Sequence, residues 1–219
     1  MYLSRLILNP RNRRVQKEIA APYEMHRSLM RAFPDDLDEG AERVLFRLET
    51  HPRTAMLTLL VQSLTMPDWS LLAEPGARGY LLPVNEPNPA VKPFDLNLSP
   101  GQVLAFRLHA NPTVKRRFND HDHKRVGLYR EEEQVEWLKR KGEQGGFRVL
   151  AARTDSQGVI GGTIRRDEAT HHKLHLLAVQ FDGTLQVTDP VRLRDAVRQG
   201  VGSGKGLGFG LLSLARPPA

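Results

Sequence analysis

The sequence predicts an α+β protein made of two tandem ferredoxin-like (RRM-like) domains with antiparallel sheets. Three observations lead there. Residues 1–85 read as strands and helices in the order β-α-β-β-α-β, residues 101–219 read in that order again, and a proline-rich linker at 86–100 separates them. Residues 83–100 hold five of the fifteen prolines, at 83, 87, 89, 93 and 100. Each removes a backbone donor and pushes its predecessor toward extended geometry, so this segment is expected to link rather than fold.

In the first domain, residues 2–8 (Tyr-Leu-Ser-Arg-Leu-Ile-Leu) have strand character and stop at Asn9-Pro10. The basic connection Arg11-Asn-Arg-Arg14 leads into a helical region ending near Phe33-Pro34, and an acidic loop spans 35–40. Two strands are expected at 43–49 and 55–63, joined by a turn at His51-Pro52-Arg53. Asp68 is placed to cap a short helix through Ala73. Residues 79–82 are expected to be the last strand.

In the second domain, residues 102–110 alternate as a strand and end at Asn111-Pro112. Residues 131–141 form a helix that is acidic at its start and basic at its end, which suits the helix dipole. Strands follow at 147–153, 158–166, 173–181 and 184–188, with Asp182-Gly183 as a turn. Asp189 caps a helix whose first residue is Pro190 and which runs to about Gln199. A final strand is expected at 206–214.

Composition narrows the possible functions. The chain has 219 residues and no cysteine, which removes disulfides and thiolate metal sites from consideration. No apolar run approaches the ~18 residues of a membrane helix, and the N-terminus lacks the pattern of a signal peptide. A soluble cytoplasmic protein without membrane association is expected. The net charge of +7 favours a polyanionic partner. Residues 1–90 carry 11 Lys+Arg against 11 Asp+Glu, whereas residues 91–219 carry 21 against 14, so the second half supplies the whole excess. Non-specific attraction to a polyanion should therefore reside there.

Within the first helical region, each residue advances roughly 100°. Ala21, Met25, Leu29, Ala32 and Phe33 then share a core stripe, while Tyr23, His26, Arg27 and Met30 face the other way. A phenol, an imidazole and a guanidinium on one face can move protons and hold a phosphate. The same spacing also fits an ordinary amphipathic helix with a polar outer face. Arg31 extends the basic edge of that helix.

The run from 199 to 213 has glycine at every even position from 200 to 210. In extended structure all six would leave one face bare, open to close approach by a helix or a sugar–phosphate backbone. A flexible turn followed by a tightly packed strand explains the pattern as well. It is not a nucleotide-binding loop, because Lys205 is followed by Gly206 rather than Ser or Thr. Histidines cluster at His121-Asp-His123 and at His171-His172-Lys-Leu-His175, in expected loops; metal ligation and a solvated or RNA-facing loop are the two readings. Basic groups stand at Lys115-Arg-Arg117, Lys139-Arg-Lys141 and Arg165-Arg166. The last pair, on a hairpin, is suited to reach phosphates and a base edge in a groove.

Taken together, the start Met-Tyr-Leu-Ser-Arg-Leu, the segment Pro22-Tyr-Glu-Met-His-Arg27, Ala110-Asn-Pro112 with Lys115-Arg116, and the glycine-rich ending resemble the CasE subfamily of CRISPR RNA-processing endoribonucleases. The resemblance runs colinearly from Met1 to Leu214. It implies a pair of ferredoxin-like domains that cuts the repeat hairpin of a CRISPR precursor RNA without metal or cofactor, keeps the product, and joins the type I-E surveillance complex. It also implies that Tyr23 and His26 are the catalytic pair, lining a cleft between the domains. Arg27, Arg31, Lys115, Arg116, Arg165, Arg166 and the loop residues Gly204, Lys205 and Gly206 are expected near RNA.

The implied chemistry is attack of a 2′-hydroxyl on the adjacent phosphate, giving a 2′,3′-cyclic phosphate. It needs a base, an acid and a cation near the crowded phosphate. Histidine, with a pKa near 6.5, can be either base or acid, whereas tyrosine, near 10, better donates. A non-catalytic RNA-hairpin-binding subunit of the same fold, a metal-dependent nuclease using His121, His123 or the acidic runs 35–39 and 131–133, and a DNA-binding regulator are the alternatives.

Overall fold

Residues 1–34, 43–119, 122–165 and 171–217 are described by the computed structural model, with backbone alone at 117–119, 122–123, 162–165 and 171–174. They divide into two units: Met1–Leu96 with Lys205–Gly208, and Asn97–Gly204 with Phe209–Ala219. The acidic stretch 35–40, His121 and Arg166 lie outside the described residues.

The first unit is organised around β1 (Tyr2–Leu8), the strand expected there. The expected helical region is two helices, α1 (Arg13–Ala20) and α2 (Pro22–Met30). The Asn12 side chain caps α1 by accepting from the backbone N–H groups of Arg14 and Val15. Pro22 explains the break, since it has no N–H to continue α1 and disfavours helical geometry at Ala21. Strands β2 (Leu45–Thr50) and β3 (Leu57–Ser63) form a hairpin. Its turn is closed by the His51 N–H donating to the Met56 carbonyl and the Ala55 N–H donating to the His51 carbonyl.

The expected helix after Asp68 is one 3₁₀ turn, Trp69–Leu72, with the Asp68 carboxylate accepting from the Ser70 N–H; a second such turn spans Pro75–Ala77. The fourth strand departs from expectation. Residues 79–82 supply only a bridge between Leu81 and Leu8. The strand is β4 (Ala90–Pro93), inside the stretch read as linker, and it pairs antiparallel with β1. An edge position ending in proline explains this, because a sheet edge tolerates a missing donor. The sheet order is β2-β3-β1-β4. Leu6, Leu8, Leu59 and Val61 of the sheet pack against Val15, Met25, Leu29, Ala32 and Phe33, so the predicted helical stripe faces the core.

The second unit repeats this order with an insertion. Strand β5 (Val103–Ala110) is followed by a separate two-stranded ribbon, β6 (Thr113–Asn119) and β7 (Asp122–Gly127). Helix α3 (Glu131–Gln144) starts with three glutamates, as the dipole argument requires. Strands β8 (Phe147–Arg165) and β9 (His171–Val187) form one long hairpin with register shifts near Val149 and Ser156. The expected turn at Asp182-Gly183 is therefore absent. Gly183 sits mid-strand opposite Phe106 and Ala152, where an added Cβ would lie 2.0 Å from the Ala151 carbonyl oxygen. The glycine serves close strand approach beside a bulge rather than a turn.

Helix α4 (Pro190–Gln199) begins as expected, with the Asp189 carboxylate accepting from the Val191 and Arg192 N–H groups. Strand β10 (Leu212–Ala215) is shorter than the predicted 206–214 and completes the sheet order β10-β5-β9-β8. Both units thus have the strand order of the ferredoxin-like fold. No helix among the described residues is long and apolar enough to cross a membrane.

Candidate active site

Helix α2 turns two faces to different surroundings. Met25 and Leu29 are buried in the core, while Tyr23 and His26 are half-buried and Arg27 is exposed. The His26 ring stacks on Phe46 of β2, with ring centroids 6.3 Å apart and planes inclined by 16°. Gly206 lies against the same imidazole: a Cβ added there would be 3.4 Å from His26 Cδ2 and 3.5 Å from Nε2. His26 Nδ1 is buried and has no hydrogen-bond partner among the described residues. Burial holds the His26 pKa below its ordinary value of 6.5, because desolvation disfavours the imidazolium.

Tyr23, His26, Arg27 and Arg31 line one open depression, together with Glu24, Ser28, Met30 and Pro34. Its cations are held loosely. Arg27 Nη1 is 3.2 Å from Glu24 Oε2, and Arg31 Nη2 is 3.8 Å from Glu74 Oε2, with all four side chains solvated. Such exposed pairs contribute little and leave the guanidiniums available to an anion.

Of the two readings of the glycine run, the turn before a packed strand is the one found, and the extended strand expected from 206 begins only at Leu212. Gly200, Gly202, Gly204, Gly208 and Gly210 all have positive φ, and a 3₁₀ turn spans Lys205–Leu207. Alternating left-handed residues bend the chain instead of extending it. The expectation of close approach does survive, since aromatic rings fill the space that side chains would need. In the first unit, Gly206 faces His26 and Gly208 faces Phe46. In the second, Gly202 faces Trp137, and an added Cβ at Gly204 would lie 2.9 Å from Phe209 Cδ2. Lys205, half-buried, stands next to the glycine that touches His26.

Lys115 and Arg116 belong to β6, where consecutive side chains point to opposite faces, so the two cannot serve one surface. Arg116 Nη2 lies 3.7 Å from Glu133 Oε1 of α3. Lys115 is exposed and pairs in register with exposed Arg125. The next positions oppose Arg116 to Lys124 and Arg117 to His123. Like charges directly opposite disfavour strand pairing, and at Arg116 the ion pair with Glu133 offsets part of that cost. Arg165 ends β8, in register with His171, at the tip of the long hairpin.

Sequence reasoning missed Phe46, Lys124 and Arg125, and it missed Glu18 and Tyr80 beneath α2. A hairpin reading of 113–127 would have exposed the opposed cations, because register follows from strand pairing. The described histidines of these clusters are on strands, not in loops: His123 is in β7, and His171, His172 and His175 are in β9. Among the described residues no three His, Asp or Glu side chains are grouped to hold a metal.

Comparison with known proteins gives one family. A family model described as CRISPR associated protein matches residues 1–216. The chain is 42% identical over 222 residues to CRISPR-associated endoribonuclease Cse3 of Thermus thermophilus, covering 98% of this chain and 100% of that protein. It is 30% identical over 223 residues to the CRISPR system Cascade subunit CasE of Escherichia coli, covering 98% and 99%. The structure resembles that of Thermus thermophilus Cse3 bound to an RNA representing a pre-cleavage complex, with TM-score 0.80, 41% identity and 98% of each chain covered.

Proposed function

This chain belongs to the CasE subfamily of CRISPR-associated endoribonucleases, and from that premise we propose that it cleaves the repeat hairpin of a CRISPR precursor RNA through His26 and Tyr23. The mature guide RNA stays bound, and the protein serves as a subunit of a type I-E surveillance complex in the cytoplasm. The observation that carries the catalytic reading is the burial of His26 between Phe46 and Gly206, on the face of α2 shared with Tyr23 and Arg27.

The steps follow from the acid–base properties of these groups. A desolvated imidazole is neutral at cellular pH and accepts the proton of the 2′-hydroxyl as that oxygen bonds to phosphorus. The bond from phosphorus to the 5′-oxygen then breaks, leaving a 2′,3′-cyclic phosphate. Tyr23, a phenol, donates its proton toward the departing 5′-oxygen. Arg27 and Lys205 offset charge that grows on the phosphate. No metal ion is needed for any of these transfers.

Affinity is a separate matter. Lys115 and Arg125 on one face of the ribbon, with Arg165 at the end of β8 and Arg166 next in sequence, hold the RNA backbone and groove. Gly204 and Gly206 let the chain pass close to its neighbours. The test is to incubate the protein with its own repeat RNA in a chelator, using substrates with and without a 2′-deoxy nucleotide at the scissile position. The expected result is cleavage of the ribose substrate to a cyclic phosphate and none of the deoxy substrate. Cleavage of the deoxy substrate, or full loss of activity in chelator, would overturn the mechanism.

A further inference from the structure

The imidazole that does the chemistry has little holding it through its own polar atoms. His26 Nδ1 finds no partner among the described residues, and Ala21, the N-cap of α2, offers no side-chain hydrogen bond. The ring is oriented by packing on Phe46 and Gly206, so its position is inherited from the helix. What fixes the helix comes from α1 and from the segment before β4.

Ser28 stands two residues beyond His26, roughly 200° around the helix. Its hydroxyl donates to Glu18 Oε1 at 2.5 Å and accepts from Arg14 Nη2 at 3.0 Å. Glu18 is on α1 and only 3% exposed, an unusual place for a carboxylate. Its Oε1 also accepts from Arg14 Nε at 2.8 Å, and its Oε2 from the Tyr80 hydroxyl at 2.6 Å. The Arg14 guanidinium lies 5.2 Å from the centroid of the Tyr80 ring, closing the group. Helix α1, helix α2 and the segment before β4 are thereby tied at one buried carboxylate.

We propose that Glu18 is a positioning residue for cleavage, holding α2 through Ser28, with Tyr80 and Arg14 completing the grip, so that His26 meets the reacting 2′-hydroxyl. A buried ion pair kept for stability alone would weaken the fold without selecting the chemical step. Positioning predicts the opposite pattern, because a displacement near 1 Å costs on the order of 10²-fold in rate while binding surfaces elsewhere are untouched.

The inference rests on His26 being the proton-transfer residue, and its test keeps the two apart. Glu18→Ala removes the carboxylate that Arg14, Ser28 and Tyr80 share and risks unfolding, so Ser28→Ala and Tyr80→Phe are the informative variants, each in the full chain. Single-turnover cleavage of repeat RNA, RNA affinity and thermal stability are measured for both, beside His26→Ala. Positioning predicts cleavage slowed about tenfold or more, with affinity within about twofold of wild type, and a rate regained in Ser28→Thr, which restores the hydroxyl. Wild-type rates in Ser28→Ala and Tyr80→Phe, with His26→Ala inactive, would overturn the positioning role alone. Ser28→Thr as slow as Ser28→Ala would do the same. A His26→Ala variant that cleaves normally would remove the catalytic reading and this inference with it.

Discussion

His26 is half-buried between a phenyl ring and a glycine turn, whereas Lys115 and Arg125 stand exposed and opposed on a two-stranded ribbon. The first arrangement uses desolvation to select a protonation state and packing to fix one ring. The second gathers charge in solvent, where any single cation contributes little and salt screens all of them. On the proposed reading, chemistry is concentrated in a few residues of the electrically balanced half of the sequence, and attraction is spread over the basic half.

Substituting the glycine turn tests the concentrated side with the largest expected effect. A Cβ at Gly206 meets His26 at 3.4 Å, ordinary contact, so Gly206→Ala should cleave nearly as wild type. Gly206→Val adds two methyl groups beside the imidazole, which supplies the three atoms nearest that Cβ. It should slow single-turnover cleavage on the order of 10²-fold while RNA affinity is kept. Equal activity of both variants would mean that the turn does not set the ring's position.

The diffuse side responds differently. Lys115→Ala combined with Arg125→Ala should weaken repeat-RNA affinity about tenfold at moderate salt and lower the salt-dependence slope by about two, one per lost phosphate contact. The cleavage rate of saturated complex should hold. Arg116→Ala, whose guanidinium faces Glu133 on the other ribbon face, should change affinity far less. If Arg116→Ala weakens binding as much as the double variant, the assignment of faces is wrong.

A smaller effect is expected on pH dependence. Burial lowers the His26 pKa, so as a base His26 remains active until pH falls below 6.5, and the acid limb of kcat/KM should have its midpoint below that value. The same shift acts on stability. The unfolded chain binds the proton more tightly, so this contribution is present above the unfolded pKa and is lost as pH falls through the folded one. Phe46→Ala solvates the ring and should move the kinetic midpoint upward. A midpoint that stays put would show that Phe46 does not desolvate the histidine.

Much of this was readable from sequence because local rules agree with the fold at most elements. The Met25, Leu29, Ala32 and Phe33 stripe, the Asp68 and Asp189 caps, and the charge gradient of α3 each follow from one spacing or one dipole. Tyr23 and His26 were placed on the outer face of α2 by the same geometry. The failures occur where the partner is distant in sequence. Strand β4 is recognisable only by its pairing with β1, and Gly183 only by the bulge across from it. Nothing near Glu18 in sequence announces that its carboxylate will meet Tyr80. The glycine run admits two readings in sequence because alternation fits both a strand and a series of turns, and only the five positive φ values decide for the turns.

The central claim is that His26 performs the chemistry and contributes little to affinity. It is tested most directly by measuring single-turnover cleavage and repeat-RNA affinity together for His26→Ala. The account predicts a rate reduced about 10²–10⁴-fold, the range of a lost proton-transfer group, with affinity within about twofold of wild type. Cleavage at the wild-type rate, or a loss explained entirely by weaker binding, would contradict it.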